Sequence, residues 1–373
     1  MRDLVVTAFT PTISSGQGMR TYGIVKALAG LGAVDLLYAE FGAEQPAAEF
    51  AAVDGLRLIP VRPTRGGRRL LSYGRALADG VPDAFARGAS AELIEAAREL
   101  ASAGERGRVI ADGPVTVASL RRLANRRPVI YNAHNLESSF RHLIVPMSRW
   151  ARRRLERFER RMIDASDETW MASRADVAAA RELVPGTRLR YVPNVIDTAR
   201  IRPTPEPAGQ SVLFVGDFTY APNAQGLDYL ENAVLPALWE QLPTARVEVA
   251  GRGLDRRAGS DSRLSHLGFV PDLGAAYARA ACVVIPLLTG GGSPLKFVEA
   301  LAYGSAIVAT PVAAQGIEAA AGRDYLEASD PQDFADKMAV VLRGERADLR
   351  RSARELAADN YSIESLQERL RAA

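Results

Sequence analysis

Short apolar segments rich in β-branched residues alternate with longer segments of helical period along this chain. The first series predicts strands at Leu4–Phe9, Val34–Tyr38, Leu56–Pro60, Val109–Asp112 and Val129–Asn132. A second series predicts strands in SVLFVGDF, ARVEVAG, LSHLGFV, CVVIPL and AIVATPV, and helical patterns such as SAELIEAARELASAG lie between the strands of both series. This alternation predicts an α/β fold with parallel sheets and helical crossovers.

The chain is long enough for two domains. It has 373 residues, of which 47% are hydrophobic, and one typical core does not reach that size. The segment RYVPNVIDTARIRPTPEPAGQ separates the two series of strands and holds four prolines, which is typical of a domain boundary. We therefore predict two Rossmann-like domains, residues 1–194 and 195–357, with a C-terminal helix in 358–373 that can pack back on the first.

Charge, cysteine content and hydropathy exclude several classes of protein. The net charge of +3 is too small to imply a nucleic-acid partner. The single cysteine, Cys282, lies in an apolar run, so we expect a small core residue, no disulfide framework and a reducing compartment. The first apolar run, Leu4–Phe9, is too short for a signal peptide or a membrane span. We expect a soluble, cytoplasmic protein.

A glycine-rich loop precedes a helix in TGGGSPLKFVEALAYG, from residue 289. The pattern predicts Ser293 as the N-cap and Pro294 as the first helical residue, where no N–H is needed. Glycine lets a ligand approach the backbone, and the N–H groups at the start of a helix suit phosphate. Lys296 in the first turn would bind a diphosphate. Glu299, one turn later, offers acceptors for a pair of ribose hydroxyls.

The alternative is an ordinary ion pair between Lys296 and Glu299 on a surface helix. A pair at this i,i+3 spacing stabilises a helix by about 0.2–0.5 kcal/mol and needs no ligand. The three glycines and the preceding strand, CVVIPL, favour a ligand site instead. In open α/β sheets, ligands bind beyond the carboxyl ends of the strands.

The segment HLGFVPDLGAAYARAACVVIPLLTGGGSPLKFVEALAYGSAIVATPVAAQGIE resembles the donor-binding half of retaining glycosyltransferases with the GT-B fold. The nearest resemblance is to glycosyltransferase family four (group 1), and it covers residues 190–335 well and the N-terminal half weakly. It implies two Rossmann-like domains that face each other across a cleft, with acceptor domain 1–194 and donor domain 195–357. The implied activity is retaining transfer of a sugar, of hexosyltransferase type, from a nucleotide diphosphate sugar to an acceptor hydroxyl.

The same resemblance implies roles for individual residues. Lys296 would hold the diphosphate, and Glu299 would hold the ribose as the final glutamate of the family's Glu-x7-Glu motif. The backbone of Phe269 and Val270 would meet the base. The remaining implied donor contacts are Gly216, Gly291, Gly292, Ser293, Pro294 and Leu295.

Two features depart from the family pattern. The first glutamate of the motif falls on Gly291, so backbone N–H groups would replace it at the sugar. Residues 217–226 contain neither the arginine nor the lysine that often clamps the phosphates. The diphosphate would then depend on Lys296, with Arg252 as a helper.

A second glycine-rich loop, SSGQGMRTYG, places Gly16 and Gly18 before a predicted helix. A dinucleotide fingerprint needs a third glycine, where this chain has Thr21, and a shorter connection after the strand. We therefore do not expect a nicotinamide cofactor. The resemblance implies that this loop approaches the donor phosphates, and the alternative is a flexible connection.

His134 lies in an Asn-Ala-His-Asn run just after a predicted strand. The resemblance implies a histidine near the transferred sugar at this point, so we assign His134 to donor or acceptor contact rather than to a general base. We expect His142 and His266 to be structural. The chain has no Asp-x-Asp pair and no His/Cys cluster with metal spacing, so we predict metal-independent transfer without a cofactor.

Residues 148–161, SRWARRRLERFERR, hold seven arginines and two glutamates. We favour a solvated helix whose apolar side, formed by Trp150, Leu155 and Phe158, packs on the protein. Peripheral contact with an anionic membrane on the cytoplasmic face is the alternative. Two rival functions also stay open: a nucleotide-sugar epimerase of the same fold, and a non-catalytic nucleotide-sugar-binding protein.

Overall fold

The computed structural model describes residues 2–42, 44–64, 67–102, 106–120, 128–139, 146–201, 209–254 and 261–372. The prediction for His142, and three of the four boundary prolines, lie outside these residues. The chain forms two compact units. The first comprises Met1–Asn194 with Leu366–Ala373, and the second comprises Val195–Ser365.

The first unit contains a parallel sheet of seven strands in the order β3-β2-β1-β4-β5-β6-β7. The strands are β1 Arg2–Thr7, β2 Ala33–Ala39, β3 Leu56–Val61, β4 Arg106–Asp112, β5 Val129–Ala133, β6 Glu168–Met171 and β7 Leu189–Tyr191. Its helices are α1 Gly16–Ala29, α2 Ala48–Ala51, α3 Gly67–Ala78, α4 Asp83–Ala86, α5 Ala91–Ser102, α6 Pro114–Leu120, α7 Arg149–Asp164 and α8 Arg174–Leu183. The strand order reverses between β1 and β4, where doubly wound sheets bind ligands.

The second unit contains a parallel sheet of six strands in the order β10-β9-β8-β11-β12-β13. The strands are β8 Ser211–Val215, β9 Arg246–Ala250, β10 Leu264–Gly268, β11 Cys282–Ile285, β12 Ile307–Ala309 and β13 Leu326–Glu327. Its helices are α9 Ala221–Tyr229, α10 Leu235–Gln241, α11 Leu273–Arg279, α12 Leu295–Ala302, α13 Pro311–Ala314, α14 Pro331–Leu342 and α15 Asp348–Tyr361. A 3-10 turn at Thr198–Arg200 precedes β8, a π turn at Leu230–Val234 joins α9 to α10, and α16 Ile363–Arg371 ends the chain's regular structure.

The predicted α/β class with two parallel sheets is confirmed, and each strand of both predicted series overlaps an observed strand. The sequence did not predict β6, β7 and β13, which have four, three and two residues. Such short segments carry too few side chains to establish a period of two.

Each unit has its own apolar core. In the first unit the core includes Tyr131 and Phe158, and in the second it includes Phe214 and Phe334. Cys282 belongs to the second core and is fully buried, so burial raises the pKa of its thiol far above the ordinary range. The prediction of a core cysteine is confirmed.

The arginine-rich segment forms α7, with Ser148 as its N-cap. Leu155 and Phe158 are buried in the first core, as predicted for the packed side of the helix. Trp150 is 67% exposed, so its predicted place on that side is wrong. It lies in the first turn, before the packed stretch begins. Among the described residues, we find no helix with both the length and the apolar character that crossing a bilayer requires.

Candidate functional site

Lys296 lies in the first turn of α12, and its ammonium group lies at the carboxyl end of β8. Nζ donates to Asn223 Oδ1 at 2.6 Å and lies 5.0 Å from the centre of the Phe214 ring. A Cβ atom built on Gly216, the residue after β8, would lie 3.1 Å from Nζ. The glycine therefore leaves room for the ammonium group above the end of the strand.

Asn223 can hold the lysine in only one orientation. Lysine carries donors only, so the asparagine must direct Oδ1 at Nζ. Its Nδ2 then donates to the backbone oxygen of Asp217 at 2.7 Å. Asn223 is 6% exposed and sits in the first turn of α9. It contacts Lys296 across 73 residues of sequence, and no spacing rule would have found it.

Glu299 lies one turn after Lys296 but does not pair with it. Its Oε2 accepts a hydrogen bond from the hydroxyl of Tyr277 at 3.2 Å. Tyr277 stacks on Tyr303, with ring centres 4.3 Å apart and planes 13° apart. The helix therefore does not form the ordinary Lys296–Glu299 ion pair that was the alternative. Each side chain has a partner from another element.

Both charged groups of α12 are poorly solvated. Burial lowers the pKa of Lys296 to about 7, although the carboxylates of Glu299 and Asp217 act in the opposite direction. Burial raises the pKa of Glu299 to about 7, against the effects of Tyr277 and Lys296. Neither charge is fully compensated by the protein, and ligand-binding groups often show shifts of this kind.

The start of α12 differs from the prediction by one residue. The helix begins at Leu295, and Pro294 is its N-cap, with φ −64° and ψ 113° and no side-chain cap. The proposed N-cap, Ser293, lies one residue earlier and is 7% exposed. The proline ring fixes φ at a helical value, but ψ is extended and leaves Pro294 outside the helix. The first backbone N–H groups of α12 thus follow the loop directly.

The glycine loop depends on two glycines with positive φ and on one close contact. Gly290 has φ 141° and Gly292 has φ 70°, values that L-residues rarely adopt. A Cβ atom on Gly316 would lie 1.8 Å from the backbone oxygen of Gly292. The loop therefore rests directly on the bare backbone after α13. Gly291, where the family motif has its first glutamate, is exposed.

Arg252, the proposed helper, is held by an acid near the lysine. Its Nη2 lies 2.6 Å from Asp217 Oδ2, and both side chains are substantially exposed. Burial alone would raise the pKa of Asp217, but bonds from Thr219 and Arg252 hold that pKa below its ordinary value. Arg252 therefore lies close to the residue whose backbone oxygen holds Asn223. Its guanidinium must leave or share this acid to reach a phosphate.

The proposed base-binding residues follow β10. Phe269 is 68% exposed and Val270 is half-buried. The backbone oxygen of the preceding Gly268 accepts from Gly251 N at 2.7 Å, so the end of β10 is anchored to the end of β9. An exposed aromatic ring beside an anchored backbone is suited to stacking. His266, on β10 itself, bonds to Glu231 at 2.8 Å.

In the first unit, Gly16 and Gly18 lie in the first turn of α1. Ser15 is the N-cap, and its hydroxyl accepts from Gly18 N at 3.1 Å. A Cβ atom on Gly18 would lie 1.8 Å from the backbone oxygen of Thr12. Gly18 therefore packs against its own preceding loop. Gly16 and Gly18 belong to the helix itself.

His134 follows β5 and bonds to an acid that the sequence analysis did not single out. Its Nε2 lies 2.8 Å from Asp112 Oδ1, at the end of the neighbouring strand β4. Asn132 Nδ2 donates to the same oxygen at 2.7 Å, and Thr21 Oγ1 donates to Oδ2 at 2.7 Å. A carboxylate at a strand end, followed by glycine in VIADG, was the available signal.

The structure brings the proposed residues together in two groups. Gly216, Lys296 and the glycine loop are neighbours in the second unit, together with the newly found Asn223. His134 belongs to the first unit, with the newly found Asp112 and Asn132. Within the described part of the chain, no group of three or more His, Cys, Asp or Glu side chains is arranged to hold a metal ion.

Solved structures resemble the whole chain. A sucrose-phosphate synthase from Thermosynechococcus elongatus is 16% identical, with a TM-score of 0.74 over 100% of this chain and 98% of that one. HepE from Anabaena, in complex with UDP-glucose, is 13% identical, with a TM-score of 0.71 over 99% and 98%. TarM from S. aureus, in complex with Fondaparinux, alpha-GlcNAc-glycerol and UDP, is 10% identical, with a TM-score of 0.71 over 100% and 99%. At these identities the likeness establishes the fold.

The fold is GT-B, as the sequence predicted. Residues 209–344, the segment that carries Asn223, Lys296 and Glu299, match the family described as "Glycosyl transferases group 1". The predicted resemblance of this segment to group 1 glycosyltransferases is thereby confirmed. A comparison with curated protein sequences found no match.

Proposed function

We propose that this glycosyltransferase moves a hexosyl group from a nucleotide diphosphate sugar to an acceptor hydroxyl, with retention of configuration and without a metal ion. The observation that carries the proposal is the ammonium group of Lys296. It lies at the end of β8 beside the start of α12, with a neutral side chain as its hydrogen-bond acceptor. A diphosphate would supply the negative charge that this position lacks.

The proposed chemistry stabilises a leaving group. The bond from the anomeric carbon to the diphosphate oxygen breaks, and negative charge grows on the diphosphate. Lys296 and the first backbone N–H groups of α12 would stabilise that charge. We propose that the acceptor hydroxyl attacks from the same face and that its proton passes to the departing diphosphate. No basic side chain is required for this step.

We propose Glu299 as the acceptor for the ribose hydroxyls. Its Oε2 already accepts one hydrogen bond from Tyr277, and a carboxylate has lone pairs for more. The stacked pair Tyr277–Tyr303 fixes this side of the carboxylate. We propose that Phe269 and Val270 receive the base, that the loop from Gly291 to Leu295 receives the diphosphate and sugar, and that His134 contacts donor or acceptor.

Calorimetry with UDP, GDP and ADP tests the donor site first. We expect one of them to bind, with more than ten-fold weaker binding in Lys296→Ala, because a charge-assisted bond is worth about 1.5–3 kcal/mol. Failure of all three nucleotides to bind would contradict the proposed donor class. The diphosphate sugars of the base that binds are then tested for turnover with a mixture of hydroxyl acceptors.

Product analysis separates transfer from its rivals. NMR of the product should show the anomeric configuration of the donor, and inversion would overturn the retaining assignment. Turnover should persist in EDTA, and its loss with recovery on added Mg²⁺ would overturn metal independence. Conversion of the donor sugar in the absence of any acceptor would indicate an epimerase. Binding without any turnover would indicate a non-catalytic protein.

We also propose a peripheral contact with anionic phospholipid through the outer faces of α3 and α7. No residue of α3 is buried, and its Leu70 and Leu71 are 72% and 62% exposed. Arg154 of α7 connects the helices: its Nη2 donates to Leu77 O of α3 at 3.5 Å and to Val81 O at 3.3 Å, and its guanidinium lies 5.5 Å from the Trp150 ring.

The charge of this surface favours a phospholipid bilayer over other apolar partners. A recess of about 300 Å³ on α7 is lined by Arg153, Glu156, Arg157, Arg160 and Leu183, so three of its five side chains are cationic. Exposed leucine and tryptophan beside clustered arginines are typical of segments that lie on anionic membranes.

Vesicle sedimentation tests the contact. We expect binding to phosphatidylcholine vesicles only when they contain phosphatidylglycerol, and release by salt. Replacing Leu70, Leu71 and Trp150 by serine should abolish binding, whereas Arg343→Ser with Arg351→Ser, in the second unit, should not. Binding that is independent of phosphatidylglycerol, or none at all, would contradict the proposal. Self-association or a soluble acidic partner would be a different outcome and would also contradict it.

A further inference from the structure

A hydrogen-bonded chain in the first unit runs from Arg20 to His134. Arg20 is 2% exposed, and its Nη2 donates to Asn132 Oδ1 at 2.7 Å. A guanidinium has donors only, so this contact fixes the asparagine with Oδ1 toward the arginine. Nδ2 is then left to donate to Asp112 Oδ1 at 2.7 Å. The orientation of the asparagine amide is therefore determined by its neighbours.

Asp112 is the carboxylate that joins Asn132 to His134 in this chain. Its side chain is 1% exposed, and burial alone would raise the pKa of its carboxyl. His134, Thr21 and Asn132 together nevertheless hold that pKa below its ordinary value. The carboxylate is therefore ionised at neutral pH and can only accept hydrogen bonds. Because Oδ1 lies 2.8 Å from His134 Nε2, the imidazole must carry a proton on Nε2.

The backbone that carries His134 is also anchored. Glu159 of α7 accepts from Glu137 N at 2.6 Å and from Ser138 N at 2.8 Å, one bond to each carboxylate oxygen. Asp176 of α8 accepts the backbone N–H of Leu136. Two helices thus hold the loop after β5, and Asp112 holds the ring.

The opposite edge of the imidazole lies over a glycine. Gly113 has φ 86°, and a Cβ atom there would lie 3.5 Å from His134 Cε1 and 3.9 Å from Nδ1. The same Cβ would lie 3.7 Å from the side-chain nitrogen of Gln17, in the first turn of α1. Because Gly113 has no side chain, this edge of the His134 ring is not covered by residue 113. The His134 side chain is 12% exposed.

We propose that Asp112 is a positioning residue that fixes His134 as a hydroxyl acceptor. When the imidazole carries its one proton on Nε2, it presents Nδ1 to the substrate, and a hydroxyl of the transferred sugar or of the acceptor donates to it. No proton passes to Asp112. This assignment deepens the proposed function and rests on it for the identity of the ligand.

The ring protonation can be measured without any substrate. We would record ¹⁵N NMR of the full chain with labelled histidine at pH 8. The chain has three histidines, so single replacements of His142 and His266 assign the His134 signals. We expect the form with the proton on Nε2. A proton on Nδ1, or an equal mixture of the two forms, would overturn the proposal, even for a protein in which no transfer activity is found.

Two substitutions at Asp112 then separate positioning from stability. Asp112→Asn keeps an oxygen for Asn132 and His134, because its Nδ2 can donate to the Thr21 hydroxyl. We expect the same tautomer and most of the wild-type kcat. Asp112→Ala removes the acceptor, so we expect mixed tautomers and a kcat lower by about ten-fold or more, with donor KM changed far less.

A matched control is Asp35→Asn, on strand β2. Asp35 is also fully buried, but its partners are Arg2 at 2.8 Å and Arg57 at 2.7 Å. We expect this variant to lose stability while keeping the His134 tautomer and kcat. A wild-type tautomer and kcat in Asp112→Ala would overturn the proposal. If Asp112→Ala does not fold, the tautomer in the wild type and in Asp112→Asn decides the question.

Discussion

Two charged side chains at strand ends, Asp112 in the first unit and Lys296 in the second, are compensated very differently. Three donors surround the Asp112 carboxylate within 2.8 Å, and its pKa stays below the ordinary value despite burial. Lys296 has one neutral hydrogen-bond partner, and its pKa falls to about 7. The charge of Asp112 is therefore compensated by hydrogen bonds within the protein. Lys296 lacks the negative charge that a ligand would bring.

The largest effect expected from this difference is on turnover. Lys296→Ala should lower kcat/KM by on the order of 10²–10³, because the charge that develops on the leaving diphosphate loses its nearest cation. Steady-state kinetics with the donor that the calorimetry and turnover assays select measure it, and circular dichroism should report an intact fold.

Lys337→Ala is the control for this substitution. Lys337 lies on α14 of the same unit and pairs with Asp333 at 2.7 Å. It should keep wild-type kinetics. Equal rates in the two alanine variants would remove Lys296 from the mechanism and end the comparison with Asp112.

Stability should change in opposite directions at the two sites. Asp112→Ala leaves several buried donors without an acceptor and should lower the free energy of unfolding by about 2–4 kcal/mol. Lys296→Met removes a poorly compensated charge and should raise it by about 1 kcal/mol. Urea denaturation measures both. A loss of stability in Lys296→Met would show that the contacts of the lysine stabilise the fold, as those of Asp112 do.

The affinity for the nucleotide diphosphate should depend on pH through Lys296. Its pKa in the empty protein is about 7, and a bound diphosphate would raise it. Above pH 7 the empty protein must therefore take up a proton to bind, and affinity should fall by up to about ten-fold per pH unit. Calorimetry at pH 8 in buffers of different ionisation enthalpy should detect this proton uptake, which Lys296→Met should abolish.

Lys296 and Glu299 also determine how the stability of the empty protein depends on pH. Lys296 has a folded pKa below its unfolded value, so its charged form opposes folding below about pH 7, and stability rises with pH from there toward the unfolded pKa. Glu299 has a folded pKa of about 7, above its unfolded value, so its contribution is present at low pH and is lost as pH rises through about 7.

The smallest effect is expected at Glu299. Glu299→Gln keeps one oxygen for Tyr277 and the ribose but loses charge, so donor KM should rise by about three- to ten-fold with kcat nearly unchanged. Its dependence of stability on pH between about 4.5 and 7 should be weaker than in the wild type, because glutamine does not titrate. An unchanged KM would contradict the ribose contact.

Much of the second unit was predictable because its signals are local. The glycine loop, Lys296 and Glu299 lie within ten residues of one another, and the strand before them has a clear apolar pattern. The start of α12 was misplaced by one residue, because the sequence reports the φ of Pro294 and not its ψ. Asn223 was missed because its contact depends on how two strand ends are placed side by side.

The site in the first unit was less predictable for the same physical reason. His134 was predicted from its place after a strand, but its contact with Asp112 depends on the register of β4 and β5. Arg20 reaches Asn132 of the same sheet from α1, and no single segment encodes either contact. Arg20 lies in α1 two residues after Gly18, and the sequence pattern there indicated a role for the glycines alone. The role of a residue that depends on pairing between distant segments can be predicted only once the arrangement of the strands in the sheet is known.

Residues 366–372 have a practical consequence for dividing the protein. They return to the first unit, where Leu366 and Leu370 are buried, Arg369 lies over the Tyr191 ring, and Gln367 occupies the space beside Gly30. The second unit is therefore one continuous segment, residues 195–365, inserted into a first unit that consists of two segments. A recombinant fragment that ends at residue 194 would lack this helix and expose the apolar surface that the helix covers. A stable first unit therefore needs residues 366–372 joined to residue 194 through a linker.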